Sequence, residues 1–369
     1  MNTNNKSISE FLNCRDFEHA ARDVLSPMAW AYYASGACDE ITIRANESGW
    51  NNCKLWPRML QGVSAPDLKT TLMGHPVAFP IFPAPVAMMK LAHPEGELAV
   101  VRAMGELGLP FIASTMATTS LEEIASAATG PKFFQLYVFQ DKGLTRELIL
   151  RAKAAGYDGI ILTVDAQVLG KREADSRQHF HLPADLRLEN LTSVLNQTML
   201  PGMGSGAVRI AANFDASLCW NDLENMMSIT DLPWAIKGIL HPEDARQAIA
   251  SGMKAIFVSN HGGRQLDTVP TGLESLPAIV EAVANRAEIF VDGGIRRGTD
   301  AIKAICLGAR GVLVGKPLLW ALAAGGQQGV QRLFQILHEE LRQSMCLLGC
   351  GSVHQLSKHY LFPDSQARH

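Results

Sequence analysis

No stretch of this chain is apolar for long enough to cross a bilayer, which excludes a helical membrane span. The first residues, Met1-Asn-Thr-Asn-Asn-Lys6, hold no apolar core of a secretory signal, and the terminal Gln366-Ala-Arg-His369 is not a peroxisomal address. A cytoplasmic protein is the expectation. Charge of one sign is lacking too. The net charge is −3 with both signs interspersed, which argues against nucleic acid or an anionic membrane as a bulk partner. A small anionic substrate needs only a few local arginines and stays open. The seven cysteines form no paired framework: only Cys346 and Cys350 are close, and no second Cys/His pair completes a zinc site, so no metal is expected. Scattered thiols in odd number suit a reducing compartment. Solenoid-period repeats and low-complexity tracts are absent as well.

What the sequence does have is length and a repeating local pattern. Its 369 residues are 47% hydrophobic and include 31 glycines, enough for one large α/β barrel or for two ordinary domains. Residues 8–24 carry apolar positions at helical spacing, and 28–33 continue that pattern after Pro27. From about residue 79, short apolar runs recur, each ending in Gly, Ser, Thr, Pro or a charged residue and each followed by a helical pattern. They occupy 79–86, 110–114, 132–138, 159–164, 233–237, 255–259, 288–291 and 311–314, with helices such as 97–107, 144–155 and 242–250 between them. Eight nearly all-apolar strands point to an α/β fold of the (β/α)8 TIM-barrel type, with a doubly wound open sheet as the competing architecture. The expected organisation is a single domain over 1–369, with an N-terminal helical segment at 1–75 and a barrel at 76–350. A long connection after strand 4, residues 166–230, includes a polar, Gly-rich lid at 190–206.

Barrel enzymes place their chemistry at the C-terminal ends of strands. The sixth run ends in Ser259-Asn260-His261-Gly262-Gly263-Arg264, where the His is a candidate base and the Arg a bidentate holder for a carboxylate. The bland reading, a core His satisfied by backbone beside a surface Arg, is weakened by two glycines that let a ligand approach the main chain. The seventh run ends in Asp292-Gly293-Gly294-Ile295-Arg296 and the eighth in Gly315-Lys316, the Gly-rich strand ends where barrels bind phosphate. Lys237 closes the fifth run, and a Lys there is costly to bury unless it meets an anion or an electron-rich group. Asp165 closes the fourth run and is placed to orient His261 as the Asp of a catalytic triad orients its imidazole, while Arg172 just beyond is a second candidate carboxylate anchor.

The stretch from Ser259 to Asp267 resembles the signature of the FMN-dependent L-2-hydroxy acid oxidases and dehydrogenases, a family that includes glycolate oxidase, lactate oxidase and mandelate dehydrogenase. The resemblance covers nearly the whole chain: Tyr32-Tyr33-Ala-Ser-Gly36, Ala84-Pro-Val-Ala87, His93-Pro-Glu-Gly-Glu97, Phe134-Gln-Leu-Tyr137, Leu162-Thr-Val-Asp165, Lys237-Gly238 and Asp292 to Asp300. It implies a barrel that binds FMN and oxidises a small 2-hydroxy acid, with His261 as base and Asp165 holding its ring. Arg172 and Arg264 would engage the substrate carboxylate, with the Tyr32 hydroxyl assisting, and Tyr137 would hydrogen-bond the substrate hydroxyl or keto oxygen. The flavin would lie against the backbone of Pro85, Val86 and Ala87, with polar contacts from Ser114, Gln135, Thr163, Lys237 and Ser259. Its phosphate would sit among Asp292, Gly293, Gly294, Ile295, Arg296, Gly315 and Lys316. A homotetramer is implied by the same resemblance.

Two departures bear on specificity. Lys316 stands where the family commonly has Arg, which replaces a bidentate phosphate contact by a point charge. Met116 stands where the short-chain glycolate enzymes carry Trp, which leaves substrate size open and favours a lactate-like or larger, even aromatic, 2-hydroxy acid. Oxygen is the expected electron acceptor, giving hydrogen peroxide. A dehydrogenase passing electrons to a quinone or cytochrome is the alternative within the fold, although the 190–206 piece is not apolar enough for a membrane anchor. Outside the family, a non-redox phosphate-binding barrel with Lys237 as a Schiff-base lysine, or a non-catalytic FMN carrier, are the competitors; neither explains His261, Arg264, Arg172 and Tyr137 together.

Overall fold

A computed structural model of the chain describes residues 7–191 and 212–363. Eight parallel strands form its centre: β1 (Ile81–Pro83), β2 (Phe111–Ser114), β3 (Lys132–Leu136), β4 (Gly159–Thr163), β5 (Trp234–Ile239), β6 (Ala255–Val258), β7 (Glu288–Val291) and β8 (Gly311–Val314). Hydrogen-bonded neighbours run β1-β8-β7-β6-β5-β4-β3-β2, so each strand lies beside the next in the chain. β1 and β2 meet without a ladder, leaving one open seam in an otherwise closed ring. This is the (β/α)8 barrel expected from the eight runs, and the doubly wound sheet is excluded. The residues of β2, β4, β6 and β8 are all buried, as strands covered on both faces require.

Strand ends shift for local reasons. β1 is only three residues of the expected 79–86, bounded by Pro80 before it and Pro85 beyond it, neither of which can donate to a ladder. β5 runs past Lys237 to Ile239 through a bulge at Gly238, whose φ is 106°. The helices Gly96–Glu106, Lys142–Ala154 and Pro242–Ala250 lie where the apolar spacing put them. Asp141 caps the second by accepting from the main-chain N–H of Gly143 and Leu144.

The N-terminal segment is helical, but in separate pieces: a 3-10 turn Ile8–Glu10, then helices Cys14–Val24 and Pro27–Ala34, begun by the caps Asn13 and Ser26. A further helix, Ile41–Asn52, carries no strong local start signal. Its N-terminal donors are satisfied from far away, Ile41 N and Thr42 N donating to the Asp267 carboxylate at 3.3 and 2.8 Å. A two-stranded hairpin, Thr70–Leu72 with His75–Val77, precedes the barrel. The last helix, Lys316–Leu348, bends at Gly325 and Gly326 and packs on the helices Cys14–Val24 and Gly96–Glu106. Within the strand-4 connection, helices Glu173–Arg177 and Trp220–Met227 are formed; residues 192–206 of the expected lid lie outside the described residues. Among the described residues, no helix is long and apolar enough to cross a membrane, and no cluster of His, Cys, Asp or Glu could hold a metal. All seven cysteines are free.

Candidate active site

The C-terminal strand ends open into one cavity. Every residue singled out from the sequence lines it except Asp165 and Ser259, which stand directly behind the lining and hold it.

At the substrate end, His261 follows β6 on a short 3-10 turn, His261–Gly263, capped by the Asn260 side chain. His261 itself sits at φ 59°, a left-handed conformation that costs energy for a side-chain-bearing residue and is held here by its surroundings. Its main-chain N–H donates to Ser259 Oγ at 3.0 Å, its Nδ1 meets Asp165 Oδ1 at 2.9 Å, and its Nε2 lies 3.4 Å from the Tyr137 hydroxyl. Burial lowers the pKa of the imidazole from 6.5 despite the opposing pull of Asp165. Burial also opposes ionisation of Asp165, but the contact with His261 and the charge of Lys237 outweigh it and hold the carboxyl below its ordinary range. The pair therefore rests as carboxylate and neutral imidazole, with Nδ1–H donated to Asp165 and the Nε2 lone pair facing the cavity.

Arg172 and Arg264 reach the same end. Arg172 donates from Nε to Arg264 O at 3.1 Å and from Nη2 to Gln265 Oε1 at 3.1 Å. Arg264 Nη1 donates to the carbonyls of Tyr32 at 2.6 Å and Ser35 at 3.0 Å, at the C-terminal end of the helix Pro27–Ala34, where the helix dipole favours a cation. Its guanidinium lies 5.1 Å from the centre of the Tyr32 ring. Burial and the neighbouring Arg172 lower its pKa to about 10, so the guanidinium is short of an anion. Tyr32 was expected to act through its hydroxyl; what the structure shows is its ring, stacked at 4.3 Å on Phe180, and its carbonyl.

At the other end, buried Lys237 donates to Ser259 Oγ at 2.7 Å and pairs with Asp292 Oδ2 at 2.9 Å. Burial alone would lower the ammonium, but Asp292 and Asp165 raise it above its ordinary value. Gln135 accepts from Ser114 Oγ at 3.1 Å and donates to Thr163 Oγ1 at 3.1 Å, so three strands present one polar chain. Asp292 Oδ1 is buried without a partner. Lys316 donates to Ala34 O at 2.7 Å; burial, Arg264 and Arg296 push its pKa well down, while Arg296 is paired with Glu47. A cavity with a polar chain across its floor, an unpartnered carboxylate oxygen and a lysine crowded by arginines fits a heteroatom-rich ring carrying an anionic tail. These residues fit FMN: Lys237, Gln135 and Ser114 would face its ring, and Arg296 and Lys316 its phosphate.

Several lining residues were not foreseen. Asn46, Glu47 and Ile43 come from the helix Ile41–Asn52, Phe214 from the segment leading to the helix Trp220–Met227, and Leu169 and Gln265 from loops. Gln265 binds the site together: its amide donates to the carbonyls of Asp165 and Val168, both at 2.8 Å, and its oxygen accepts from Arg172. Its place in the run Ser259 to Asp267 was the only signal pointing to it. Phe214 stacks on Tyr137 at 4.8 Å and meets Phe139 edge-on at 5.3 Å.

The bulge at Gly238 matters to this arrangement. A Cβ there would come within 2.6 Å of the Asp165 carboxyl carbon, and φ is 106°. Gly238→Ala is expected to push Asp165 off His261 and lower kcat at least about tenfold while FMN stays bound. Steady-state kinetics together with the flavin absorbance of the purified variant check this; a variant with unchanged kcat would refute it.

Compared with known proteins, residues 21–363 match the family described as FMN-dependent dehydrogenase. The L-lactate oxidase of Nostoc sp. (strain PCC 7120 / SAG 25.82 / UTEX 2576) is 47% identical over 363 residues, covering 96% of this chain and 99% of that protein. Glycolate oxidase 3 of Arabidopsis thaliana is 42% identical, covering 98% of both. Among solved structures, mandelate oxidase with (S)-4-hydroxymandelic acid superposes with a TM-score of 0.90 at 41% identity, covering 95% of this chain and 98% of that one. A His–Asp pair and two arginines around one cavity on a (β/α)8 barrel thus coincide with full-length similarity, and the chain belongs to the FMN-dependent dehydrogenase family as an enzyme that oxidises 2-hydroxy acids.

Proposed function

We propose that this protein oxidises a lactate-like L-2-hydroxy acid to the 2-keto acid and passes the electrons to oxygen, forming hydrogen peroxide. The observation that carries the reading is the meeting of His261, Asp165, Tyr137, Arg172 and Arg264 around one end of a cavity whose other end accommodates FMN. FMN supplies the two-electron acceptor when bound. Arg172 and Arg264 take the substrate carboxylate, which fixes C2 and its hydroxyl relative to the base. His261 Nε2 removes a proton, and Asp165 stabilises the imidazolium that forms. Tyr137, whose own pKa is raised mainly by burial, stays protonated and donates to the substrate oxygen. Lys237 places positive charge beside the polar chain that faces the ring.

Met116, Ala166, Leu169 and Phe214 are among the apolar residues that line the cavity. Met116 in place of a rigid indole, together with the similarity to a protein named L-lactate oxidase, supports lactate or a larger 2-hydroxy acid over glycolate. The similarity to proteins named oxidases supports oxygen as the acceptor. Free cysteines throughout suit a cytoplasmic protein, and a homotetramer is our reading of the assembly from the family resemblance.

The purified protein is expected to be yellow and to bleach under anaerobic conditions on addition of L-lactate. Readmitting air is expected to restore the colour with one peroxide per turnover. A colourless protein after FMN addition would overturn the cofactor assignment, bleaching by glycolate alone would overturn the substrate, and recolouring only with a quinone or cytochrome would overturn the acceptor.

A further inference from the structure

The helix Ile41–Asn52 lies outside the barrel, yet Asn46 in its second turn is buried and lines the cavity between the catalytic turn and the glycine-rich end of β7. Its side chain forms a reciprocal amide pair with Asn260. Asn46 Nδ2 donates to Asn260 Oδ1 at 3.0 Å, and Asn260 Nδ2 donates to Asn46 Oδ1 at 2.8 Å. Both residues are almost without solvent, at 2% and 3% exposure, so water cannot replace either bond.

Asn260 is the residue immediately before His261. Its Oδ1 also accepts from Gly263 N at 3.1 Å, closing the turn that holds His261 in its left-handed conformation, and its Nδ2 also reaches Pro270 O at 3.2 Å. On the other side Asn46 packs on the proposed phosphate loop. A Cβ on Gly294 would fall 2.1 Å from Asn46 O, and one on Gly293 would fall 3.1 Å from Asn46 Cγ. Asn46 thus touches both the turn that aims the base and the loop that receives the anionic tail.

We propose that Asn46 is a positioning residue that couples the glycine loop Asp292–Arg296 to the orientation of His261 through its amide pair with Asn260. The inference rests on the reading of His261 as the base. Loss of the Asn46 amide leaves Asn260 held only by Gly263 N and Pro270 O, with one buried amide hydrogen unpaired, and a rotation of Asn260 that recovers a partner moves His261 away from Asp165 and Tyr137. Because the Asn46 side chain also fills the space against Gly293, its truncation loosens the loop.

The test compares the holoenzyme variants Asn46→Ala, Asn260→Ala and the double variant, with Asn46→Asp as a same-shaped variant that still accepts from Asn260 but cannot donate to it. Turnover on L-lactate is measured beside retention of FMN after gel filtration. Each alanine variant is expected to lower kcat about tenfold with KM changed less, and Asn46→Ala to release FMN that the parent retains. The double variant is expected to lose no more than the worse single one, since the two amides act as a unit. Asn46→Asp is expected to fall between parent and Asn46→Ala. Losses that multiply in the double variant, or an Asn46→Asp enzyme with parental kcat, would overturn the proposal. His261→Gln is run beside them: turnover surviving in that variant would mean that the base reading has failed, a result separate from any outcome at Asn46.

Discussion

His261→Gln is expected to abolish the bleaching by L-lactate while leaving the protein yellow. Glutamine has no basic lone pair to receive the substrate proton, and the loss of a general base is worth roughly 10²–10⁴ in rate. The side chain stands at the substrate end, bound to Asp165 and near Tyr137, while the polar chain toward the flavin is made by Lys237, Gln135 and Ser114. Absorbance before and after anaerobic substrate addition therefore separates the two ends of the cavity. A variant that bleaches at the parental rate would remove His261 from the chemistry. The parent's pH profile is linked to the same group. The imidazole must be neutral to act, and burial lowers its pKa from 6.5, so kcat/KM is expected to hold to below that pH before falling on the acid side. On the alkaline side KM is expected to rise as Arg264 nears its lowered pKa of about 10.

The second large effect is expected on stability. Lys237→Met removes the only ion-pair partner found for Asp292 among the described residues, at a carboxylate whose other oxygen already lacks one. Uncovering a buried charge in this way costs about 3–5 kcal/mol at neutral pH. Denaturant unfolding of the variant checks the size. Asp292→Asn added to Lys237→Met is expected to recover much of the loss, because a neutral amide needs no counter-charge. A drop below about 1 kcal/mol for Lys237→Met alone would show that the pair is not what holds these two strand ends together.

Much of the barrel was legible because its signals are local. A strand covered on both faces must be apolar throughout, and the helix after it must repeat at its own period, so all eight β/α units could be read without knowing their partners. The strand-end residues were legible for a related reason: His261, Arg264, Asp165, Lys237 and the run from Asp292 to Arg296 follow apolar runs directly, and the fold can only place them at one rim. The ends of β1 and β5 were not legible to the residue, since prolines on either side bound the first and a bulge lengthens the second.

The helix Ile41–Asn52 falls inside the expected helical segment 1–75 but was not delimited there, for the opposite reason. The carboxylate that satisfies its first N–H groups belongs to Asp267, more than two hundred residues away, and no local window contains both. Asn46 and Phe214 were invisible on the same grounds. An asparagine on a polar helix, or a phenylalanine after a Gly-rich stretch, says nothing of the cavity until tertiary contacts put it there.

The sequence alone determined the barrel and which side chains carry charge to the rim, because each depends on residue type at a fixed place along a repeating local unit, while the cofactor class followed from the resemblance of the stretch Ser259 to Asp267 and its companion motifs to a known family. Only the tertiary structure decided how those groups are held: which lone pair of His261 faces the cavity, that Tyr32 presents its ring and carbonyl, that Gly238 makes room for Asp165, and that Asn46 bridges two loops. Hydrogen bonds and close packing between residues remote in the chain are set by distances of a few tenths of an ångström, and those exist only once the chain has closed on itself.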